Sequence, residues 1–176
     1  MPRVRRRRSA TIGGGLNGPI GVVFDSEGDI YVAGGLTGSV HKYDGQSGEF
    51  IHIFARVPSS TNATGLVFGP NGNLFVGSGS RRAVYEYHSD GSGLIGAFAS
   101  GNGLTSVIGI AFDEDGIFYV SSFDDDAVLR FDSSGTFIDK FISTRAGGLD
   151  GSHFFLFIDT PVPVKRSSFG SLKRRF

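Results

Sequence analysis

The sequence predicts an all-β fold built from three copies of one repeat, and three observations support this. First, the stretch GVVFDSEGDIYV at residues 21–32 returns as GLVFGPNGNLFV at 65–76 and as GIAFDEDGIFYV at 109–120. Second, the spacing is a constant 44 residues, which lies in the range typical of repeat proteins. Third, each copy holds two short β-prone runs separated by a polar turn with glycine, which is a hairpin signal.

Each repeat contains four predicted strands, labelled A to D. Strands A and B are the two runs of the copied stretch, and the glycine of their turn supplies the positive φ that a tight hairpin needs. A valine and an aromatic residue mark strand C, and a phenylalanine ends strand D in every copy. A four-stranded antiparallel unit that recurs at this period is typical of a β-propeller blade. The sequence therefore predicts a partial β-propeller with three blades of about 44 residues and a truncated fourth.

The repeat spacing also sets the predicted organisation of the chain. Leu149 precedes Phe157 by the interval that separates A-strand residues in the blades, so a fourth A strand is expected there. Pro161 opposes a further central strand after it. The predicted regions are a disordered basic arm at 1–15, blades at 16–56, 62–100 and 104–143, a truncated blade at 149–159, and a basic tail at 160–176.

Charge is strongly segregated, although the formal net charge is zero. Ten of the 17 basic residues lie in the two ends of the chain, so the repeat body is acidic, with a charge of about −10. The absence of cysteine excludes a disulfide framework and thiolate metal sites. No run of 18 apolar residues occurs, and the arginine-rich start lacks the apolar core of a secretory signal. We therefore expect no membrane association; the sequence does not identify the compartment, and a cytoplasmic location is the default expectation.

The repeat resembles the NHL-repeat family and its relatives among six-bladed propellers. The resemblance covers residues 16–141, and in the first blade it is carried by Pro19, Gly21, Phe24, Asp25, Gly28, Tyr31, Val32, Val40, Tyr43 and Asp44. It implies a propeller fold and a role in binding. The aspartate after strand B and the arginine before strand C that NHL repeats usually carry are absent here. This departure argues against a basic RNA-binding face.

Three blades do not close a ring, because propellers close with typically four to eight. An open arc leaves apolar blade faces at both ends. Three outcomes follow from the sequence: the chain is a fragment of a longer propeller, it self-associates to complete one, or its tails complete a compact monomer.

The candidate site lies in the loops between strands B and C, because these loops differ while the scaffold repeats. Their sequences are GGLTGS at 34–39, SGSRRA at 78–83 and SFDDDA at 122–127. Dissimilar loops on a constant scaffold are a common way to build a binding site. We therefore expect a ligand- or partner-binding face formed by Arg81, Arg82, Phe123, Asp124, Asp125 and Asp126.

Catalysis is not expected from the residues. The four histidines fall at different repeat positions, no G-x-S-x-G motif is present, and neither acidic run has the spacing of an EF-hand. The prediction is a binding module that is not an enzyme, with no metal site, no cofactor and no catalytic residue. One alternative is a piece of a gluconolactonase- or streptogramin-lyase-like metal-dependent enzyme. The other is nucleic-acid binding through the basic tails, which we consider less favoured.

Overall fold

A computed structural model describes residues 14–151 and residue 154, and these residues form twelve β-strands and two short 3₁₀ turns. The 3₁₀ turns cover Phe123–Asp125 and Ala146–Gly148. The strands are β1 Pro19–Phe24, β2 Ile30–Gly34, β3 Ser39–Tyr43, β4 Phe50–Arg56, β5 Leu66–Phe68, β6 Leu74–Ser78, β7 Ala83–Tyr87, β8 Leu94–Ser100, β9 Val107–Phe112, β10 Phe118–Ser122, β11 Ala127–Phe131 and β12 Phe137–Ile142.

The strands form three separate four-stranded antiparallel sheets, each in simple sequence order. Blade 1 is β1–β4, blade 2 is β5–β8 and blade 3 is β9–β12. This confirms the predicted all-β fold with three meanders. The predicted basic arm and tail fall largely or wholly outside the described residues, as does the truncated fourth blade apart from residues 149–151 and 154.

The turns between strands A and B confirm the predicted role of glycine. Gly28, Gly72 and Gly116 have φ values of +89°, +80° and +78°. In blade 1 the Asp25 carboxylate also accepts two backbone N–H bonds inside the turn, and in blade 3 Asp113 does the same. The repeated sequence therefore fixes the same hairpin geometry in each blade.

The core lies between the blades, not inside any one of them. Alternate residues of a strand point to opposite sheet faces. In β6, Leu74 and Val76 belong to a cluster shared with blade 1, while Phe75 belongs to one shared with blade 3. All five residues of β6 are buried as a result. Blade 2 is thus covered on both faces, while blades 1 and 3 each have one face that no other described sheet covers.

The inner strands of neighbouring blades approach closely at the glycine that occupies the same position in each repeat. A Cβ atom on Gly65 would lie 2.5 Å from the carbonyl oxygen of Ile108 in blade 3, and one on Gly21 would overlap the carbonyl of Thr64. Neither glycine has a positive φ, so contact between backbones and not turn geometry requires it. Beside this contact, the buried Thr64 hydroxyl donates to the Val107 carbonyl at 2.8 Å.

A Gly65→Ala substitution should separate blades 2 and 3 and lower the free energy of unfolding by about 1–3 kcal/mol, the usual cost of overpacking. Gly96→Ala is the matched control, because a Cβ at Gly96 in β8 meets open space. Urea denaturation of both variants would test this. Equal stability of the two variants would contradict the proposed close contact.

Candidate functional site

The predicted site residues lie in two B–C loops at the same end of the blade stack. Arg81 and Arg82 follow β6, and Phe123 begins the 3₁₀ turn after β10. The Arg81 side chain donates from Nε to the Pro58 carbonyl at 3.1 Å, so it ties the loop to the segment that follows blade 1. No hydrogen bond or ion pair among the described residues joins these arginines to the three aspartates.

Two of the three aspartates have structural partners. Asp125 forms an ion pair with Lys140 at 2.8 Å. Asp126 is 8% exposed; its carboxylate accepts a hydrogen bond from the Gly151 amide at 2.7 Å and pairs with Arg145 at 3.2 Å. The bond from Gly151, followed by the contact with Arg145, lowers the pKa of Asp126 below its ordinary value. Asp126 therefore holds the chain that leaves blade 3.

Arg82 and Asp124 remain exposed, and neither side chain has a polar partner among the described residues. Arg82 also has a left-handed backbone with a φ of +54°, as does Asp126 with +48°, at the repeat position where blade 1 has Gly38. Strained backbone of this kind is commonly retained at binding sites. Among the charged residues of the predicted face, Arg82 and Asp124 are therefore the two whose side chains are exposed and have no polar partner in the described part of the chain.

Sequence reasoning missed a cleft of 370 Å³ at the opposite end, between blades 1 and 2. Lys42 lies at its wall and pairs with Asp25 at 3.3 Å and with Asp29 at 3.0 Å. The Tyr31 hydroxyl donates to Asp25 at 3.2 Å, and the Lys42 ammonium lies 5.1 Å from the Tyr31 ring centroid. These side chains act as hydrogen-bond and ion-pair partners for one another, so the network connects strands A, B and C of blade 1.

Burial raises the pKa of Asp25, but hydrogen bonds from the Asp29 amide, Lys42 and Tyr31 outweigh burial and hold it below its ordinary value. For Lys42 burial acts downward, yet its hydrogen bonds raise the pKa above the ordinary value. A sequence signal for this network is the pairing of an aspartate with a tyrosine six residues later, which occurs in blades 1 and 3. In blade 2 the same two positions hold Gly69 and Phe75, and a Cβ atom at position 69 would crowd the Phe75 ring.

Blade 1 also buries a serine–histidine pair on strand C. Ser39 and His41 are each 1% exposed, and Ser39 Oγ lies 2.8 Å from His41 Nε2. Ser39 donates to Thr37, so Nε2–H donates to Ser39, and Nδ1 has no partner among the described residues. A histidine that donates to the serine cannot accept its proton, and neither group reaches solvent. The pair is therefore not a nucleophilic dyad of the kind that hydrolases use.

The two ends of the blade stack expose residues whose repeat equivalents are buried or partly buried. On blade 1, Val22 is 55% exposed, whereas Leu66 and Ile110 at the same position are 8% and 7% exposed. On blade 3, Phe141 is 53% exposed, whereas Phe54 is 9% exposed and Phe98 is partly buried. We call the free face of blade 1 the front surface and that of blade 3 the back surface. Both lack the neighbouring blade that covers the equivalent residues elsewhere.

Metal-binding clusters and membrane-spanning helices are both absent from residues 14–151 and 154. No group of three or more histidine, aspartate and glutamate side chains is arranged to hold a metal ion. No helix in this part of the chain has the length and apolar character needed to cross a bilayer.

Comparisons with known proteins support the fold. No protein-family model and no curated sequence matches the chain. Similar solved structures include virginiamycin B lyase from Staphylococcus aureus, with a TM-score of 0.63 and 14% identity over 74% of this chain and 43% of that one. A putative gluconolactonase has a TM-score of 0.66 and 18% identity, over 84% and 54% of the two chains. The nidogen/laminin complex gives 0.65 and 14%, over 80% and 52%.

These neighbours are β-propeller proteins, and this chain has a propeller-like fold. The chain spans about half the length of the propellers it matches. At 14–18% identity the likeness shows the fold alone, so the NHL assignment stays a prediction. The prediction that the chain is not an enzyme is wrong, because a lyase and a putative gluconolactonase are among its neighbours. That prediction relied on missing motifs, whereas the same scaffold also occurs in enzymes.

Asp25→Asn should lower the free energy of unfolding at pH 7 by about 1–3 kcal/mol, because the carboxylate accepts several hydrogen bonds. The pKa of Asp25 is depressed in the folded chain, so its contribution is present above the unfolded pKa and is lost as the pH falls through the folded one. The difference from the unmodified chain should therefore shrink in acid. Asp115→Asn, in the exposed turn of blade 3, is the control. A difference that persists unchanged in acid would contradict this account.

His41→Leu, which copies Leu129 of blade 3, should remove a pH dependence of stability. Burial, followed by the charge of Arg56, lowers the pKa of His41. The unfolded chain therefore binds this proton more readily, and stability falls by up to about 1.4 kcal/mol per pH unit below about 6.5, until the folded pKa is reached. Thermal unfolding between neutral and acid pH measures this. The exposed His52→Leu is the control, and equal pH slopes for both variants would refute the assignment.

Proposed function

We propose that this chain is an NHL-like half-propeller that binds a second copy of itself end to end. In this proposal the closed ring carries a ligand- or partner-binding face made of the B–C loops. The observation that carries it is the exposure of Val22 and Phe141. Where a neighbouring blade is present, the equivalents of Val22 are buried, and those of Phe141 are buried (Phe54) or partly buried (Phe98). Exposed apolar surface at such positions is typical of a protein interface.

The occupant proposed for these surfaces is the chain's own opposite end. Twice within the chain, the back face of one blade packs on the front face of the next, between blades 1 and 2 and between blades 2 and 3. The back surface of blade 3 and the front surface of blade 1 are repeats of the same two faces. Two copies joined head to tail would form two equivalent contacts and a ring of six blades. This number lies in the range in which propellers close.

The back surface carries polar features that suit a specific contact. Arg130 lies 4.6 Å from the Phe141 ring centroid and pairs with Asp139 at 2.6 Å. A rim charge of this kind fixes orientation more than it adds affinity.

Ring closure would gather the B–C loops of all blades around one mouth. Arg82 and Asp124 are the free side chains that each copy would contribute, with Arg81, Phe123, Asp125 and Asp126 as supports. Charged groups of both signs around a shared opening favour a polar or zwitterionic ligand. The basic tails, which would serve the nucleic-acid alternative, lie outside the described residues and contribute nothing to this proposal.

Sedimentation velocity across a wide range of concentrations tests the assembly. The expected result is a species of twice the chain mass of 18.7 kDa that dissociates on dilution. Phe141→Asp and Val22→Asp should each raise the dimer Kd by about tenfold to a hundredfold, because each places a charge in an apolar contact. Ile95→Asp is the control, because Ile95 is 45% exposed on the outer strand of blade 2, away from both ends.

Mixing the two disrupted variants sharpens the test. A head-to-tail ring made of one Phe141→Asp chain and one Val22→Asp chain retains one intact contact of its two. The mixture should therefore associate more strongly than either variant alone. A chain that stays monomeric at every concentration contradicts the proposal. So does a dimer that neither substitution weakens.

A further inference from the structure

An apolar groove of 410 Å³ runs along the inner side of the three blades. It lies where the inner strands β1, β5 and β9 meet, and no charged or polar residue lines it. Its lining residues are Ile20, Gly21, Val22, Val23, Gly65, Leu66, Val67, Ile110, Ala111 and Phe154. An open groove of this composition in water calls for an apolar occupant.

Phe154 differs from the other lining residues because it belongs to no blade. It follows the end of β12 by twelve residues and still reaches the groove formed by all three inner strands. The chain before it is fixed in place: the Asp126 carbonyl accepts the Arg145 amide at 3.1 Å, and the Asp126 carboxylate accepts the Gly151 amide at 2.7 Å. The last anchored residue lies three positions before Phe154. Asp126 thus directs the chain that leaves blade 3 toward the groove.

The residues that begin at Phe154 have the composition that the groove requires. Residues 154–158 read FFLFI, five consecutive apolar side chains, before the first acidic residue at Asp159. In an extended conformation five residues span about 17 Å, close to the length of an inner strand such as β9. Phe154 is still 57% exposed, so it alone does not fill the groove.

We infer that the segment of residues 154–158 docks in the inner groove as an internal plug, held at its start by Asp126. The groove provides apolar surface from three blades, and the segment provides matching side chains at the highest effective concentration, because the two are covalently joined. The contact would link blade 1 to the end of the chain and cover the axis of the arc. The groove shares Val22 with the front surface of the end-to-end pairing proposed above, whereas Phe154 and Phe141 each belong to one of the two proposals alone.

Photo-crosslinking of the full-length chain tests the docking directly. A benzophenone side chain placed at position 155 should crosslink within the same chain to residues 20–23, 65–67 or 110–111. Mass spectrometry of the digested product locates the bond. Crosslinks to other parts of the chain overturn the inference. Crosslinks between two chains overturn it as well, because they would make a second copy the occupant.

A fluorescent dye that binds apolar surface provides the second measurement. Phe154→Asp in the full-length chain should increase dye binding several-fold, because the groove loses its cover. A synthetic peptide of residues 152–159 should then displace the dye, whereas the same peptide carrying Phe154→Asp should not. Phe169→Asp, in the basic tail that follows the apolar run, is the matched control. Equal dye binding by both variants contradicts the inference.

The two proposals fail in distinguishable ways. Loss of the plug by Phe154→Asp should not raise the dimer Kd above that of the Ile95→Asp control, because this substitution leaves Phe141 in place and uncovers Val22. Phe141→Asp, in turn, should leave the crosslinks from position 155 unchanged. If Phe154→Asp prevents folding, the crosslinking result on the otherwise unmodified chain still decides the question.

Discussion

The close approach of inner strands between neighbouring blades is the constraint on which the structure depends. Gly21 and Gly65 allow one backbone to contact the next, and the apolar residues of both sheet faces then meet in the two clusters between the blades. A single four-stranded blade has no core of its own, so its stability comes from the blades on either side. The contact is made twice, between blades 1 and 2 and between blades 2 and 3.

The same constraint explains why both ends of the blade stack expose apolar side chains. A blade face that packs on its neighbour must be apolar. Val22 and Phe141 have the same apolar character as their equivalents in the other blades. Pairing with a second copy would cover these two positions. The segment of residues 154–158 would cover the inner groove, which also includes Val22.

The sequence is sufficient to predict the architecture because its strand and turn signals recur at a fixed period. The 44-residue spacing and the turn glycines predicted three meanders, and the structure has them. The candidate site was harder to predict, since a run such as Asp124–Asp126 does not say which carboxylates have partners. Asp125 and Asp126 bind Lys140 and Arg145, residues 15 and 19 positions away, and only the folded chain brings them together. The inferred absence of catalysis failed because it relied on motifs, whereas the propeller scaffold also occurs in enzymes.

Distances between equivalent turns test most directly whether the blades stack around a common axis. Glu27, Asn71 and Asp115 are exposed A–B turn residues of the three blades, and the chain has no cysteine, so single and paired labelling sites are easily introduced. Pulsed electron paramagnetic resonance should give equal distances for 27–71 and 71–115, and a 27–115 distance about 1.4 to 1.9 times as long, for rings of four to eight blades. A 27–115 distance equal to the sum of the other two, or unequal neighbouring distances, would contradict the account.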